Sequence, residues 1–293
     1  MKLTGGTWSS NLYFVANLPA MMPFTVKAHD CLLIAMNEIT GRDGDMVHEY
    51  LAAGKKVFID SGVFNLAGQH AKTHNVTHDE ALGMAPDDID GFDQLFAKYC
   101  SILSRIGESC WGYIEIDLGG RENKIKTRKR IESLGLKPIP VYHPLIDGWD
   151  YFDELASTYD RICVGNLVHA HPNVRERIIA TIFERKRNYP DLWIHLLGVS
   201  PSQLLNAYPL ESCDSSALSS MTRWPSSARV KIFTSICLQA GPPLSYGYVY
   251  ERGVGAKGET GYGKAHTLGG YAARFVGITW QSIVGEYEAS GLL

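Results

Sequence analysis

Two aspartates stand far apart in this chain in matched settings, and together they offer the chemistry of paired carboxylates. Asp60 closes the run Val57-Phe58-Ile59 and is followed by Ser61-Gly62-Val63-Phe64. Asp214 closes Leu210-Glu211-Ser212-Cys213 and is followed by Ser215-Ser216. At the carboxyl ends of parallel barrel strands such groups project into an active site. Two carboxylates that converge there suit glycosidic-bond chemistry, one as nucleophile and the other as proton shuttle. The turn after Asp60 would hold the carboxylate on backbone donors, while Phe64 offers an apolar face to a polar heterocycle. On local sequence alone the same residues also read as an Asx-turn that ends a strand.

Further polar groups fall at the ends of other apolar runs. In Trp111-Gly112-Tyr113-Ile114-Glu115-Ile116-Asp117, alternation places Glu115 and Asp117 on one side of a strand, from which both could approach the mouth of a barrel. A carboxylate there accepts hydrogen bonds from the N1–H and exocyclic amine of a purine. Its plainer role is an ion pair with Arg121 or Lys124. His143, followed by Pro144, could contact a base or carry a proton. Gly165-Asn166 and Leu197-Gly198 end two more runs, where glycine lets a flat ligand approach the backbone. His70, His74, His78, His169 and His171 invite a metal reading, but His169-x-His171 lacks a third partner, and no metal site is expected.

The elements that must position these groups recur in a regular order. Strands are predicted at Leu12–Ala16, Leu32–Met36, Val57–Asp60, Gly112–Asp117, Pro138–Tyr142, Arg161–Val164, Trp193–Gly198 and Leu210–Cys213. Helices are predicted at Asp45–Ala53, Ile89–Ile106, Arg121–Leu134, Trp149–Tyr159, Asn173–Asn188 and Ser200–Tyr208. Strand and helix alternating in this way predict an α/β fold, a (β/α)8 TIM barrel with loop insertions. No Pro-, Ser- or charge-rich linker divides the chain, so a single domain over 1–293 is expected. Two insertions are read as long loops: 65–88, which carries Gln69, His70, His74 and His78, and 239–267, rich in glycine and tyrosine. Leu268–Leu293 looks helical.

Composition narrows the classes. The chain has 293 residues and is 45% hydrophobic, which supports a large core and argues against disorder. No apolar run is long enough to span a bilayer, and the N-terminus lacks the layout of a secretory signal. A cytoplasmic location is therefore expected, the host cytoplasm if the chain is phage-encoded. The six cysteines are scattered, with no Cys-x-x-Cys pair, so reduced thiols and no zinc subdomain are expected. A net charge of −3 is not the profile of a generally basic nucleic-acid binder. Any such binding must use local patches, for which Lys124, Lys126, Arg128, Lys129 and Arg130, and Arg175, Arg177, Arg185, Lys186 and Arg187, are the candidates. Solvated helix faces are their plainer reading.

Taken in order, these pieces resemble the tRNA-guanine transglycosylase superfamily, and most of all its phage and bacterial 7-deazaguanine DNA transglycosylase branch. The family's Asp-Ser-Gly-Gly-Phe is similar to Asp60-Ser61-Gly62-Val63-Phe64, and its His/Leu-Met-Gly-Val-Gly to His195-Leu196-Leu197-Gly198-Val199. Cys213-Asp214-Ser215-Ser216 falls where the family carries its aspartate nucleophile. Asp117 falls where it places a base-reading aspartate, and Cys163-Val164-Gly165 is similar to its Ala-Val-Gly-Glu. The likeness runs over roughly residues 56–220. Val63, Asn65, Asn166 and Tyr142-His143 depart from the family's residues. The tRNA enzymes' zinc signature and appended RNA-binding domain are missing, which favours the compact DNA-acting branch.

The resemblance implies a pentosyltransferase that exchanges guanine in DNA for a free 7-deazaguanine base, with no redox cofactor or metal. Asp214 would be the nucleophile and Asp60 the proton shuttle. Ser61, Phe64, Asp117, His143, Cys163, Gly165, Asn166, Leu197 and Gly198 would line the base pocket. Accessory DNA-opening proteins are possible partners, and no membrane is expected. The alternatives are the same exchange on tRNA, simple hydrolysis of an N-glycosidic bond, and a non-catalytic nucleic-acid-binding barrel.

Overall fold

β-branched runs alternate with amphipathic stretches, and the chain folds accordingly as mixed α/β with parallel strands. The computed structural model describes residues 12–16, 30–39, 44–199, 208 and 210–215, with the backbone alone at 247–249 and 276–278. In chain order the elements are β1 (Leu12–Ala16), β2 (Cys31–Ala35), α1 (Asp45–Ala52), β3 (Lys56–Asp60), α2 (Val63–His74), α3 (His78–Gly83), α4 (Phe92–Ile106), β4 (Gly112–Tyr113), α5 (Gly120–Glu132), β5 (Val141–Tyr142), α6 (Trp149–Thr158), β6 (Arg161–Val164), α7 (Pro172–Lys186), β7 (Trp193–Leu196), β8 (Ser212–Ser215), β9 (Gly247–Val249) and β10 (Val276–Ile278). Short 3-10 turns occupy Met36–Glu38, Pro86–Asp88 and Leu167–His169.

The chain divides into two compact units, the larger being Leu33–Gly198. In that unit β2, β3 and β4 are neighbours in order, as are β5, β6 and β7. The β3–β4, β5–β6 and β6–β7 pairings are parallel, and a parallel bridge between Ile114 and Ile139 links the two sets. Parallel strands are covered on both faces and therefore read as continuous apolar runs. Val57, Phe58 and Ile59 of β3 and Ile162, Cys163 and Val164 of β6 are wholly buried. Phe58 on β3 and His195 on β7 are not neighbours in the strand order, yet their rings meet edge to face at 4.8 Å. Trp111, just before β4, likewise lies 4.4 Å from Trp193 at the start of β7. The sheet of this unit therefore curls so that β3 and the start of β4 face β7.

Helices seal the outer surface through single apolar faces. On α4, Phe92, Leu95, Tyr99, Ile102, Leu103 and Ile106 are buried at helical spacing. Tyr99 donates its hydroxyl to the Ile114 carbonyl at 2.7 Å, which satisfies the one polar atom that this face carries inward. In the smaller unit β1 and β8 pair in parallel, with Phe14 opposite Asp214, and β9 and β10 pair antiparallel.

Three expectations need correction. Residues 65–88 are not a loop: α2, α3 and a 3-10 turn fill them. Val63, Ala67, His70 and Ala71 form a buried stripe on α2, and small residues with a histidine hide that stripe from a count of large apolar side chains. Thr77 and Glu80 close a reciprocal capping box on α3. Within Leu268–Leu293, residues Val276–Ile278 are a strand rather than helix, because they pair with Gly247–Val249. That partner lies within 239–267, so this insertion also contains a strand. The rest of both segments, and the helix predicted at Ser200–Tyr208 up to residue 207, lie outside the described residues. Among the described residues no helix is long and apolar enough to cross a membrane.

Candidate active site

The centre of the candidate site is built where β3, β4 and β5 end. β3 delivers Asp60, and the next two residues turn the chain into α2. Gly62 has φ +80°, and a Cβ there would stand 2.6 Å from the Asn37 Oδ1, so both the backbone and the space require glycine. The Gly62 N–H donates to Asp60 Oδ2 at 3.3 Å, and the Val63 N–H donates to the buried Ser61 Oγ at 3.4 Å. The Asx-turn reading of this segment is thus its local geometry. Ser61 in turn donates to Asp117 Oδ1 at 3.5 Å, which ties the end of β3 to the residues beyond β4.

Asp117 meets His143 directly, with Nε2 at 2.9 Å from Oδ2. Burial pushes the Asp117 carboxyl up, but the His143 hydrogen bond and charge and the Lys124 ammonium outweigh it and hold it below the ordinary carboxylate value. An ionised carboxylate only accepts, so Nε2 of His143 carries a proton. Nδ1 lies 3.5 Å from the Lys124 Nζ. His143 is also fixed through its backbone, since its N–H donates to Asp147 Oδ2 at 2.8 Å. Its ring lies against Gly165, at which a Cβ would come within 2.9 Å of both Cδ2 and Nε2. Gly165 is therefore the residue that lets the imidazole occupy this place.

Behind this pair lie two buried ion pairs. Lys124 contacts Asp147 at 2.5 Å, with the two side chains 0% and 1% exposed, and also donates to the Val141 carbonyl at 3.0 Å. Arg128 donates to Glu115 Oε2 at 2.8 Å, and the other oxygen of Glu115 accepts the Val141 N–H at 2.6 Å. Burial pushes the Glu115 carboxyl up to about 7, against the pull of Arg128, Lys124 and the Val141 N–H. Glu115 thus braces Val141 from beside β4. Two residues on along each segment, Asp117 and His143 meet. Glu115 does not reach the mouth with Asp117, as alternation had led us to expect, because Arg128 holds it in the layer between sheet and helix.

The remaining predicted residues are placed as follows. Phe64, in the first turn of α2, is 55% exposed and its ring is 4.2 Å from that of His78. Cys163 is wholly buried in β6. Asn166 takes the left-handed conformation, with φ 63°, and opens the 3-10 turn that follows β6. The Leu197 N–H donates to the Val164 carbonyl at 2.9 Å, and Gly198 has φ +68°. Asp214 lies in β8 of the other unit, 5% exposed, with Ser212, Cys213 and Ser215 also buried. The structure thus joins Ser61, Asp117, His143 and Gly165 in one contact chain, with Asp60 at its edge.

Neither anticipated partner pairs with Asp117 directly: Arg121 bridges Asp150 and Glu154, each at 2.6 Å, and Lys124 takes Asp147. The basic patches shrink for the same reason. Lys124 and Arg128 are buried, Arg175 donates to the Leu167, Val168 and Ala170 carbonyls, and Arg185 pairs with Asp153. Lys126, Lys129, Arg130, Arg177 and Arg187 remain exposed.

Asp147 and Arg128 support the site without having been singled out for it, and Lys124, named as a partner for Asp117, supports it through Asp147 instead. The signal was legible: Lys124, Thr127, Arg128 and Ile131 share one face of α5, so two cations stand on the inward stripe of a helix. Among the described residues, one group of side chains could hold a metal ion, namely His70, His74 and Asp90. No protein-family model and no curated protein matches the chain.

Proposed function

We propose that this chain is a base-exchange glycosyltransferase on a (β/α)8 barrel, replacing guanine in DNA by a 7-deazaguanine base. The observation that carries the reading is the Asp117–His143 pair at 2.9 Å, backed by Ser61 and by a glycine that makes room for the imidazole. A carboxylate held ionised at a strand end is an acceptor on both oxygens, which complements the adjacent N1–H and amine donors of guanine and its 7-deaza analogues. Phe64 supplies an exposed aromatic face for the ring. The order of motifs shared with the transglycosylase superfamily supports the same assignment.

In this mechanism a carboxylate oxygen of Asp214 bonds to C1′ as the C1′–N9 bond breaks. The electron pair leaves with guanine, and Asp60 supplies the proton that neutralises it. The incoming base then gives its N9 proton to Asp60. Its nitrogen attacks C1′ and displaces Asp214. Two inversions retain the anomeric configuration, as in a retaining glycosidase with a base in place of water. The target nucleotide must leave its stack or be single-stranded.

The test is incubation with labelled guanine or 7-deazaguanine and either DNA or tRNA, followed by digestion and base analysis. Incorporation into DNA that is lost in Asp214→Ala, together with a trapped covalent adduct in the wild type only, is the expected result. Incorporation into tRNA alone selects the tRNA-acting alternative, and release of guanine without replacement selects hydrolysis. Binding of nucleic acid with no turnover in any arm refutes an enzyme.

A further inference from the structure

The His70, His74 and Asp90 cluster lies outside every residue assigned to base exchange. From it we infer a binding site for one divalent transition-metal ion of the zinc class. The two histidines stand four apart on α2, so they rise from the same face of the helix. Their rings stack at 4.2 Å with 27° between planes. Asp90 arrives from the segment that leads into α4, and places Oδ2 3.6 Å from the His70 Nδ1 and 2.6 Å from the His74 Nε2. One donor atom from each residue falls within 4.8 Å of the others.

This spacing suits a metal. Bonds of about 2.0–2.2 Å to nitrogen and oxygen at tetrahedral angles leave neighbouring donors roughly 3.4 Å apart. The His70–Asp90 separation already matches. The His74–Asp90 contact must open by roughly 0.8 Å to reach the same spacing, and the Asp90 side chain, 64% exposed, is free to swing. His70 supplies the fixed point, being only 6% exposed. The backbone N–H of Asp90 donates to its Nδ1 at 3.1 Å. An N–H can only donate, so Nδ1 carries a lone pair, which the Asp90 N–H now holds and which a metal would take over in its place. Two imidazole nitrogens and one carboxylate oxygen are the donor set of zinc-type ions, with a fourth position left to water. A bound ion would pin α2, whose first turn carries Phe64, to the start of α4.

The experiment is calorimetric titration of the full chain with zinc chloride, repeated with cobalt(II) chloride and followed by visible absorption. One equivalent should bind. His74→Ala and Asp90→Asn should each weaken binding at least about tenfold, since disturbing a partner beyond the ligands alone costs about 10–100-fold. His48→Ala, at an exposed histidine of α1, should leave affinity unchanged. Both ligand variants lie at exposed positions, so their unfolding midpoints without metal should equal that of the wild type. Zinc should raise the midpoint of the wild type and leave that of His74→Ala where it was. Failure of the wild type to take up either ion, equal affinity across the variants, or a loss in only one ligand variant overturns the three-donor site. Metal uptake is read without nucleic acid, so its outcome is independent of base exchange.

Discussion

Replacing Arg128 by methionine should damage the protein in a way that grows with pH. Arg128 is 4% exposed and Glu115 is wholly buried; their contact is 2.8 Å. Methionine keeps much of the side-chain bulk but leaves the Glu115 carboxylate with the Val141 N–H as its one remaining hydrogen bond among those described. Removing one partner of a buried pair costs about 3–5 kcal/mol, which for a chain of this size corresponds to a fall of roughly 6–20 °C in Tm. The carboxyl already sits at about 7 against an ordinary value of 4.5, with burial raising it and Arg128 opposing that rise. Without Arg128 it moves higher still. A folded pKa above the unfolded one gives stability that is full below the unfolded value and lost as pH rises through the folded value. The deficit of Arg128→Met should therefore be smallest in mild acid and should deepen by up to about 1.4 kcal/mol per pH unit above it. Urea unfolding at several pH values measures this directly. The double variant Glu115→Gln/Arg128→Met should recover most of the loss, because neither member of this pair then leaves an unpaired charge buried. A deficit that does not change with pH, or a double variant no better than the single one, would refute the assignment.

Other perturbations probe the candidate site itself. Asp117→Asn should weaken binding of the incoming base about 10–150-fold, the worth of about 1.5–3 kcal/mol for hydrogen bonds to a charged group. The same variant should flatten the acid limb of the stability profile. The folded Asp117 carboxyl is held below its ordinary value, so its contribution is present above that value and lost as pH falls through the folded pKa. Gly165→Ala should displace the His143 ring, lower stability in urea unfolding by about 1–3 kcal/mol and weaken the binding of base, with a fold that survives by circular dichroism. Gly62→Ala should cost about 1–2 kcal/mol or more in urea unfolding, because it forces a side chain into the left-handed region and against Asn37.

Much of the framework was legible because burial on both faces imposes a simple pattern. Leu12–Ala16 and Arg161–Val164 were read to the residue, and α1 and α6 to within one residue at their ends. The β4 region was harder. Gly112–Asp117 is apolar and alternating throughout, but the ladder stops at Tyr113, with only a single bridge at Ile114. Beyond that point Glu115 spends one carboxylate oxygen on Arg128 and the other on the Val141 N–H. The site was legible at Asp60, Asp117 and His143, because polar groups that end apolar runs have few structural reasons to be there. Its supports were legible only in part. Lys124 and Arg128 stand on the inward stripe of α5, but Asp147 looks like an ordinary surface charge in sequence, and its burial depends on a partner 23 residues away. The insertion at 65–88 was misjudged because its inward face is alanine, valine and histidine, which is too small and too polar to register as an apolar stripe.

The proposed mechanism gives the three aspartates different tasks. A group that passes a proton back and forth needs a pKa that its surroundings let it cross during the cycle. Asp117 is poorly suited to that, since His143 and Lys124 both favour its ionised form and overcome the effect of burial. It is better suited to accepting hydrogen bonds from a base without exchanging a proton with it. Asp60 is only partly buried, and the backbone contact described for it, from the Gly62 N–H, is long at 3.3 Å. In the proposed exchange it is the group that takes and returns the proton. Asp214 has the attacking role in that scheme. It lies on a strand with Ser212, Cys213 and Ser215 around it, all buried. The Cys213 thiol is pushed well up by burial and by the Asp214 charge, so it stays protonated and does not compete as a nucleophile. In this scheme one carboxylate reads, one shuttles and one attacks. Exchanging the roles of Asp60 and Asp117 in that scheme would place the proton transfer on a carboxyl that His143 and Lys124 hold ionised.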